Sequence, residues 1–162
     1  MLQLKQYVKV ANLDEAYELN QKKNSVIVGG MHWLKMSKTA YGTAIDLSGL
    51  GLDQIVETDE AFEIGCMVSL RQLETHEGLN IYTAGAVREA VKDIVGVQFR
   101  NTATVGGSIW GRYGFSDVLT VFLAMDTTVV CHKAGEISLK DFAAMKADRD
   151  ILVKLVVKKS PI

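Results

Sequence analysis

Two stretches of this chain can offer bare backbone to a ligand: "VIVGGMHWL" at residues 26–34 and "ATVGGSIWG" at residues 103–111. Each carries an apolar lead-in to a glycine pair, Gly29-Gly30 in the first and Gly106-Gly107 in the second. Without a Cβ, successive N–H groups can face one anion closely, and a following helix N-terminus adds partial positive charge. Two such turns on separate lobes would clamp a diphosphate from both sides, as a dinucleotide lying across the lobes requires. The alternative at this level is that both are structural turns, since glycine marks turns everywhere.

Other chemistries lack their residues. "GGSIWG" is not the G-x-S-x-G nucleophile elbow, and His32, His76 and His132 are too scattered to single out a triad. No G-x-x-x-x-G-K-[ST] loop occurs, and "GLGLD" from residue 49 supplies only the first two glycines of G-x-G-x-x-G, with no helical pattern behind it. ATP hydrolysis and Rossmann-type NAD binding fall away. Cys66 and Cys131 stand without CxxC or nearby His spacing and read as two buried thiols.

The elements that must position the glycine turns come next. A short strand at residues 7–10 precedes Asn12 and Glu15, a capping pair for a helix using Leu13, Ala16 and Leu19. "VIV" then reads as a strand covered on both faces, so residues 7–28 form a βαβ unit and imply a small parallel sheet. "MHWLKM" begins a second helix in this reading, and residues 43–47 a third strand. From Ile55 the pattern changes: "IVETDEAFEIGCMV" places Thr58-Asp59-Glu60 between two strand-like runs, an antiparallel hairpin. Ser69 opens a short helix, and residues 84–94 read as one helix with Ala84, Val87, Val91 and Ile94 on one face. "DVLTVFLAM" reads as a buried helix with Asp117 near its start. Strands "TTVVC" and "ILVKLVV" flank a helix over residues 139–146.

At 162 residues, 48% hydrophobic and 23% charged, the chain is an ordinary globular one of a single domain or two small lobes sharing a core. Eighteen basic residues against nineteen acidic ones leave a formal charge of −1, so neither nucleic acid nor an anionic membrane is an expected partner. The longest apolar run, residues 118–125, falls far below a membrane span, and the N-terminus lacks a signal peptide's apolar stretch; the cytoplasm is the expected compartment.

The order of these features resembles the FAD-binding subunit or domain of the molybdenum hydroxylases, the medium-subunit family of the xanthine and carbon monoxide dehydrogenases. Residues 12–34, "NLDEAYELNQKKNSVIVGGMHWL", are similar to that family's early helix and A-G-G-x-[SD]-L turn. Residues 44–74 are similar to its strand, hairpin and short helix. "VGVQFRNTATVGGSIWGRYGFSDVLTVFLAMDTTVV" resembles the motif Q-[VI]-R-N-x-[AG]-T-[IL]-G-G-N, followed by an Asp that opens a helix.

The resemblance implies an α+β fold of two lobes with FAD extended between them: a small parallel lobe at 1–54 and a larger, mostly antiparallel lobe at 55–162. It places the cofactor on Val28, Gly29, Gly30, Met31 and His32 in the first turn and on Thr104, Val105, Gly106, Gly107 and Ser108 in the second. Asp117 would help to hold the rest of the cofactor, with a helix N-cap as its alternative role, and Ile94 and Leu152 would pack near it. Arg100 and Asn101 would brace the second turn.

The function so implied is an FAD-binding electron-transfer subunit, without catalytic residues of its own, that passes electrons from iron–sulfur clusters to NAD+ or another acceptor. A molybdopterin-binding large subunit and a 2Fe-2S small subunit would carry the molybdenum cofactor and the clusters; two cysteines are too few for one four-cysteine cluster here. A homodimer is left open. Three departures matter: bulky Met31, His32 and Trp33 follow the first glycine pair, Ser108 replaces the family's Asn, and the family's C-terminal domain is not in this sequence. They leave a second reading, a member that keeps the fold as an assembly module and binds no flavin.

Overall fold

A computed structural model describes residues 1–160, which build two sheets and a set of short helices. In the first lobe β1 (Gln3–Lys9) and β2 (Ser25–Val28) both lie parallel to β3 (Ala40–Asp46), which sits between them in the order β1-β3-β2. The expected βαβ unit is present, with β3 inserted between its strands. Helix α1 (Leu13–Asn20) makes the crossover, and its predicted caps are made: the Asn12 side chain accepts from the Glu15 N–H at 2.9 Å, and Glu15 Oε2 accepts from the Ala11 N–H at 2.7 Å.

The second lobe is a five-stranded antiparallel sheet in the order β4-β5-β8-β6-β7. Here β4 (Ile55–Glu57) and β5 (Ala61–Gly65) are the expected hairpin, β6 (Thr127–Cys131) pairs with β7 (Gly135–Ser138), and β8 (Leu152–Lys158) pairs with β5 and β6. The helices are α2 (Leu70–Thr75), α3 (Glu77–Tyr82), α4 (Ala86–Val91), α5 (Val97–Thr102), α6 (Val105–Trp110), α7 (Asp117–Leu123) and α8 (Leu139–Ala144). None approaches the roughly 12–15 residues at which an isolated helix becomes marginally stable, so packing holds them. Ile45, Leu47, Phe62, Ile64, Leu73, Val87, Val91, Ile109, Phe122, Phe142 and Leu155 join in one core that both lobes share. No helix among the described residues is long and apolar enough to cross a membrane.

Two expected helices differ. "MHWLKM" yields a single 3-10 turn at Leu34–Met36. The helix expected over residues 84–94 is only α4, because Ala84 (φ +49°) and Gly85 (φ +83°) take left-handed conformations before it and Val95 (φ +53°) does so after it. Ala84 is therefore exposed, while Val87 and Val91 fill the core as expected.

Candidate functional site

A groove of about 950 Å³ runs between the lobes, within the range of ordinary cofactor clefts. Polar seams hold its two sides. Arg149 donates to the backbone carbonyls of Lys22 (2.5 Å) and Ser25 (3.1 Å), while Asn20 Nδ2 donates to the Arg149 carbonyl at 2.9 Å. Lys133 and His132 both reach Asp14 Oδ1 at 2.8 Å, and Lys133 chiefly, then His132, holds that carboxyl below the usual range. The lobes are thus tied on the α1 side and meet again at the glycine turns.

At the first turn, β2 ends at Val28 and the chain passes over α5. A Cβ on Gly30 would sit 2.2 Å from the Thr102 carbonyl oxygen, and one on Gly29 would lie 2.7 Å from Thr104 Oγ1. The glycines let the two lobes touch. Met31 follows in the left-handed region (φ +60°), the kind of backbone conformation that occurs in anion-binding nests. Among the described residues, no N–H from 29 to 34 donates to a protein acceptor, and all of these residues line the groove. His32 instead bridges the lobes: its Nε2 lies 2.7 Å from Thr102 Oγ1 and its ring packs on Phe99 at 3.8 Å between centroids. Burial first, then Lys35, lowers the His32 pKa.

The second turn is the start of a helix. Thr104 is the N-cap of α6 and accepts from the Gly107 N–H at 3.2 Å. The Val105 N–H donates to the Val68 carbonyl and the Gly106 N–H to that of Cys66, each at 2.8 Å, and the Ser108 N–H to that of Thr104 at 3.1 Å. Gly106 is required for close approach, since its Cβ would meet the Cys66 carbonyl oxygen at 2.7 Å. The Ser108 hydroxyl donates back to the Thr104 carbonyl at 3.1 Å. This jaw is a wall whose amides are already partnered.

Val28, Gly29, Gly30, Met31, His32, Ile94, Thr104, Gly106, Gly107, Ser108, Asp117 and Leu152 all border the groove. Val105 does not: its side chain is wholly buried in the core beneath α6. The N-cap of α7 is Ser116, which accepts from the Leu119 N–H at 3.2 Å. Asp117 is the first helical residue, with an exposed carboxylate that has no hydrogen bond or ion pair among the described residues. Arg100 braces the second jaw from behind: its Nε donates to Glu74 Oε2 at 2.8 Å and its Nη1 to the Ile94 carbonyl at 3.1 Å. Cys66 borders the groove, but burial pushes its thiol up to about 12, which keeps it a neutral wall.

Sequence reasoning missed several groove residues. Ser25, only 4% exposed, has a buried hydroxyl with no partner among the described residues, and His32 Nδ1 is likewise unpartnered there. Trp33, Tyr113 and Phe115 cluster at the mouth, with Trp33 5.7 Å from Phe115 and 6.1 Å from Tyr113 between ring centroids. Trp33 is 61% exposed and lines the groove. Bulk at residue 33 was the only signal available.

Residues 2–159 match the family model described as the FAD binding domain in molybdopterin dehydrogenase. The chain is 28% identical over 159 residues to the uncharacterized protein YgfM of Escherichia coli K12, covering 96% of this chain and 60% of that protein. It is 29% identical over 121 residues to the xanthine dehydrogenase of Emericella nidulans, covering 67% of this chain and 9% of that one. Among solved structures, a carbon monoxide dehydrogenase chain from Hydrogenophaga pseudoflava superposes with a TM-score of 0.83 at 21% identity, over 96% of this chain and 59% of that chain. The chain therefore spans about three fifths of the length of YgfM and of that dehydrogenase chain.

Proposed function

Because the chain belongs to the family of FAD-binding domains of molybdopterin dehydrogenases, we propose that it is the FAD-binding electron-transfer part of a molybdenum-containing dehydrogenase. The lobes at 1–54 and 55–162 would hold FAD between them. The observation that carries this reading is the run of unpartnered N–H groups at 29–34, a ready cradle for the diphosphate. Thr104, Gly107 and Ser108 wall the opposite side, Ile94 and Leu152 supply apolar surface, and Asp117 offers a free acceptor for hydroxyl or amine groups. The donor set fits the group: neutral amides for an anion, apolar walls for planar rings, and buried unpartnered polar atoms at Ser25 and His32 that a polar ligand or its waters can satisfy.

Bound there, the flavin supplies the redox chemistry between iron–sulfur clusters on a small partner subunit, which serves a molybdopterin-binding large subunit, and NAD+ or another acceptor. The chain's own part is to bind, orient and shield the cofactor. The matches to a xanthine dehydrogenase and to a carbon monoxide dehydrogenase chain support this placing. The test is reconstitution: the purified chain incubated with FAD and desalted is expected to retain flavin absorbance in proportion to protein. A chain that stays colourless at high FAD, while still associating with its sister subunits, would instead be the assembly module.

A further inference from the structure

Trp33, Tyr113 and Phe115 are 61%, 44% and 65% exposed, yet their rings are held together at the groove mouth. Tyr113 and Phe115 stack at 5.1 Å with an interplanar angle of 13°. The loop that carries them is pinned: Arg112 Nε donates to the Phe142 carbonyl and Nη1 to the Trp110 carbonyl, each at 2.9 Å. Gly111 seats the Tyr113 ring, because a Cβ there would lie 2.3 Å from it. A fixed, solvent-facing aromatic surface beside a cofactor groove is a stacking platform without its ring.

From this we infer that the cluster is the shelf for the adenine ring of the bound dinucleotide, an assignment that rests on the FAD reading above. The tether decides between the two rings of FAD. Trp33 belongs to the same turn whose amides form the diphosphate cradle, so a ring stacked on its side chain must lie close to the phosphates. Adenine is one ribose away from the diphosphate, whereas the flavin hangs from the longer ribityl chain. Asp117, two residues past Phe115 and without a partner among the described residues, would accept from the ribose hydroxyls or from the exocyclic amine of adenine.

Calorimetric titration of the full chain with FAD, ADP and inorganic pyrophosphate tests the assignment. Trp33→Ala is expected to weaken ADP and FAD by the same factor, at least about fivefold as for other base–aromatic stacks, and to leave pyrophosphate unchanged. Trp33→Phe, which keeps a ring, should restore ADP affinity to within about twofold of the unaltered chain. Trp33 is exposed, so the variants should fold, and circular dichroism checks that. Loss of FAD but not ADP affinity would put the flavin on the shelf and overturn the assignment. Equal losses for ADP and pyrophosphate would overturn it too, by placing the effect in the cradle. Unchanged ADP binding in both Trp33→Ala and Tyr113→Ala/Phe115→Ala would show that no ring stacks there. FAD binding without dependence on Trp33 sinks only this inference, whereas an unaltered chain that binds neither FAD nor ADP sinks the FAD reading with it.

Discussion

At the first glycine turn every N–H from 29 to 34 lacks a protein acceptor among the described residues, while at the second those of Val105, Gly106, Gly107 and Ser108 all have one. The same short word, Val-Gly-Gly, serves two physical purposes. In one the missing Cβ lets the lobes close on each other and leaves a cradle of amides open to the groove. In the other it lets a helix start press against the Cys66 backbone and consume its own donors. The two turns differ in kind: one leaves its amides without protein acceptors and the other pairs them.

The largest effect that would separate them lies behind the second turn. Arg100 and Glu74 have side chains only 6% and 12% exposed, and Arg100 above all, with help from Arg71, holds the Glu74 carboxyl below the usual range. Arg100→Met leaves Glu74 with Arg71 alone, 2.7 Å away, and the Ile94 carbonyl without its donor, and should cost about 3 kcal/mol of stability in urea unfolding, the upper end for charge-assisted hydrogen bonds. A carboxyl with a lowered folded-state pKa contributes stability that is fully present above its unfolded value of about 4.3 and lost as pH falls through its folded value. The unaltered protein should therefore lose this contribution only on the acid side, and Arg100→Met should flatten that part of the stability–pH curve.

Next is Gly106→Ala, whose Cβ would collide with the Cys66 carbonyl oxygen. It should cost about 2–3 kcal/mol as an overpacked site. A variant as stable as the parent would mean that the second turn is not a packed wall. Thr104→Val removes the α6 cap and leaves the Gly107 N–H without its acceptor. Its melting temperature should fall by the equivalent of about 1 kcal/mol. The smallest effect has the opposite sign. Met31→Gly relieves a left-handed conformation at the cradle and, after glycine's own entropy cost, should gain about 0.5 kcal/mol in urea unfolding.

Much of the fold was legible because it rests on strong local signals. Asn12 with Glu15 as a cap, Ser69 as a helix start and the charged turn at Thr58 as a hairpin were readable, and each is made; the structure adds Gln72 as Ser69's capping partner. Helices α3, α5 and α6 were not, since six residues give too little periodicity and α6 carries two glycines, which disfavour helix. Which residues border the groove was largely legible, but not what each contributes there. A glycine in sequence does not say whether its Cβ is missing to admit a ligand or to admit a neighbouring carbonyl, and Gly106 is the second case. The motif nearest to the family's pattern is the turn whose amides are partnered within the protein. Val105 followed its motif neighbours onto the list although its side chain points into the core. Trp33, which looked like an obstruction, stands at the rim because Tyr113 and Phe115 give it somewhere else to pack.

The claim that the first turn is the diphosphate cradle is tested most directly by amide resonances of the nitrogen-15-labelled chain titrated with FAD. The account predicts large shifts and new protection from exchange for the N–H groups at 29–34, with the Val105 and Gly106 amides holding their protein partners and moving little. Large changes at 105–108 with residues 29–34 unmoved would contradict it.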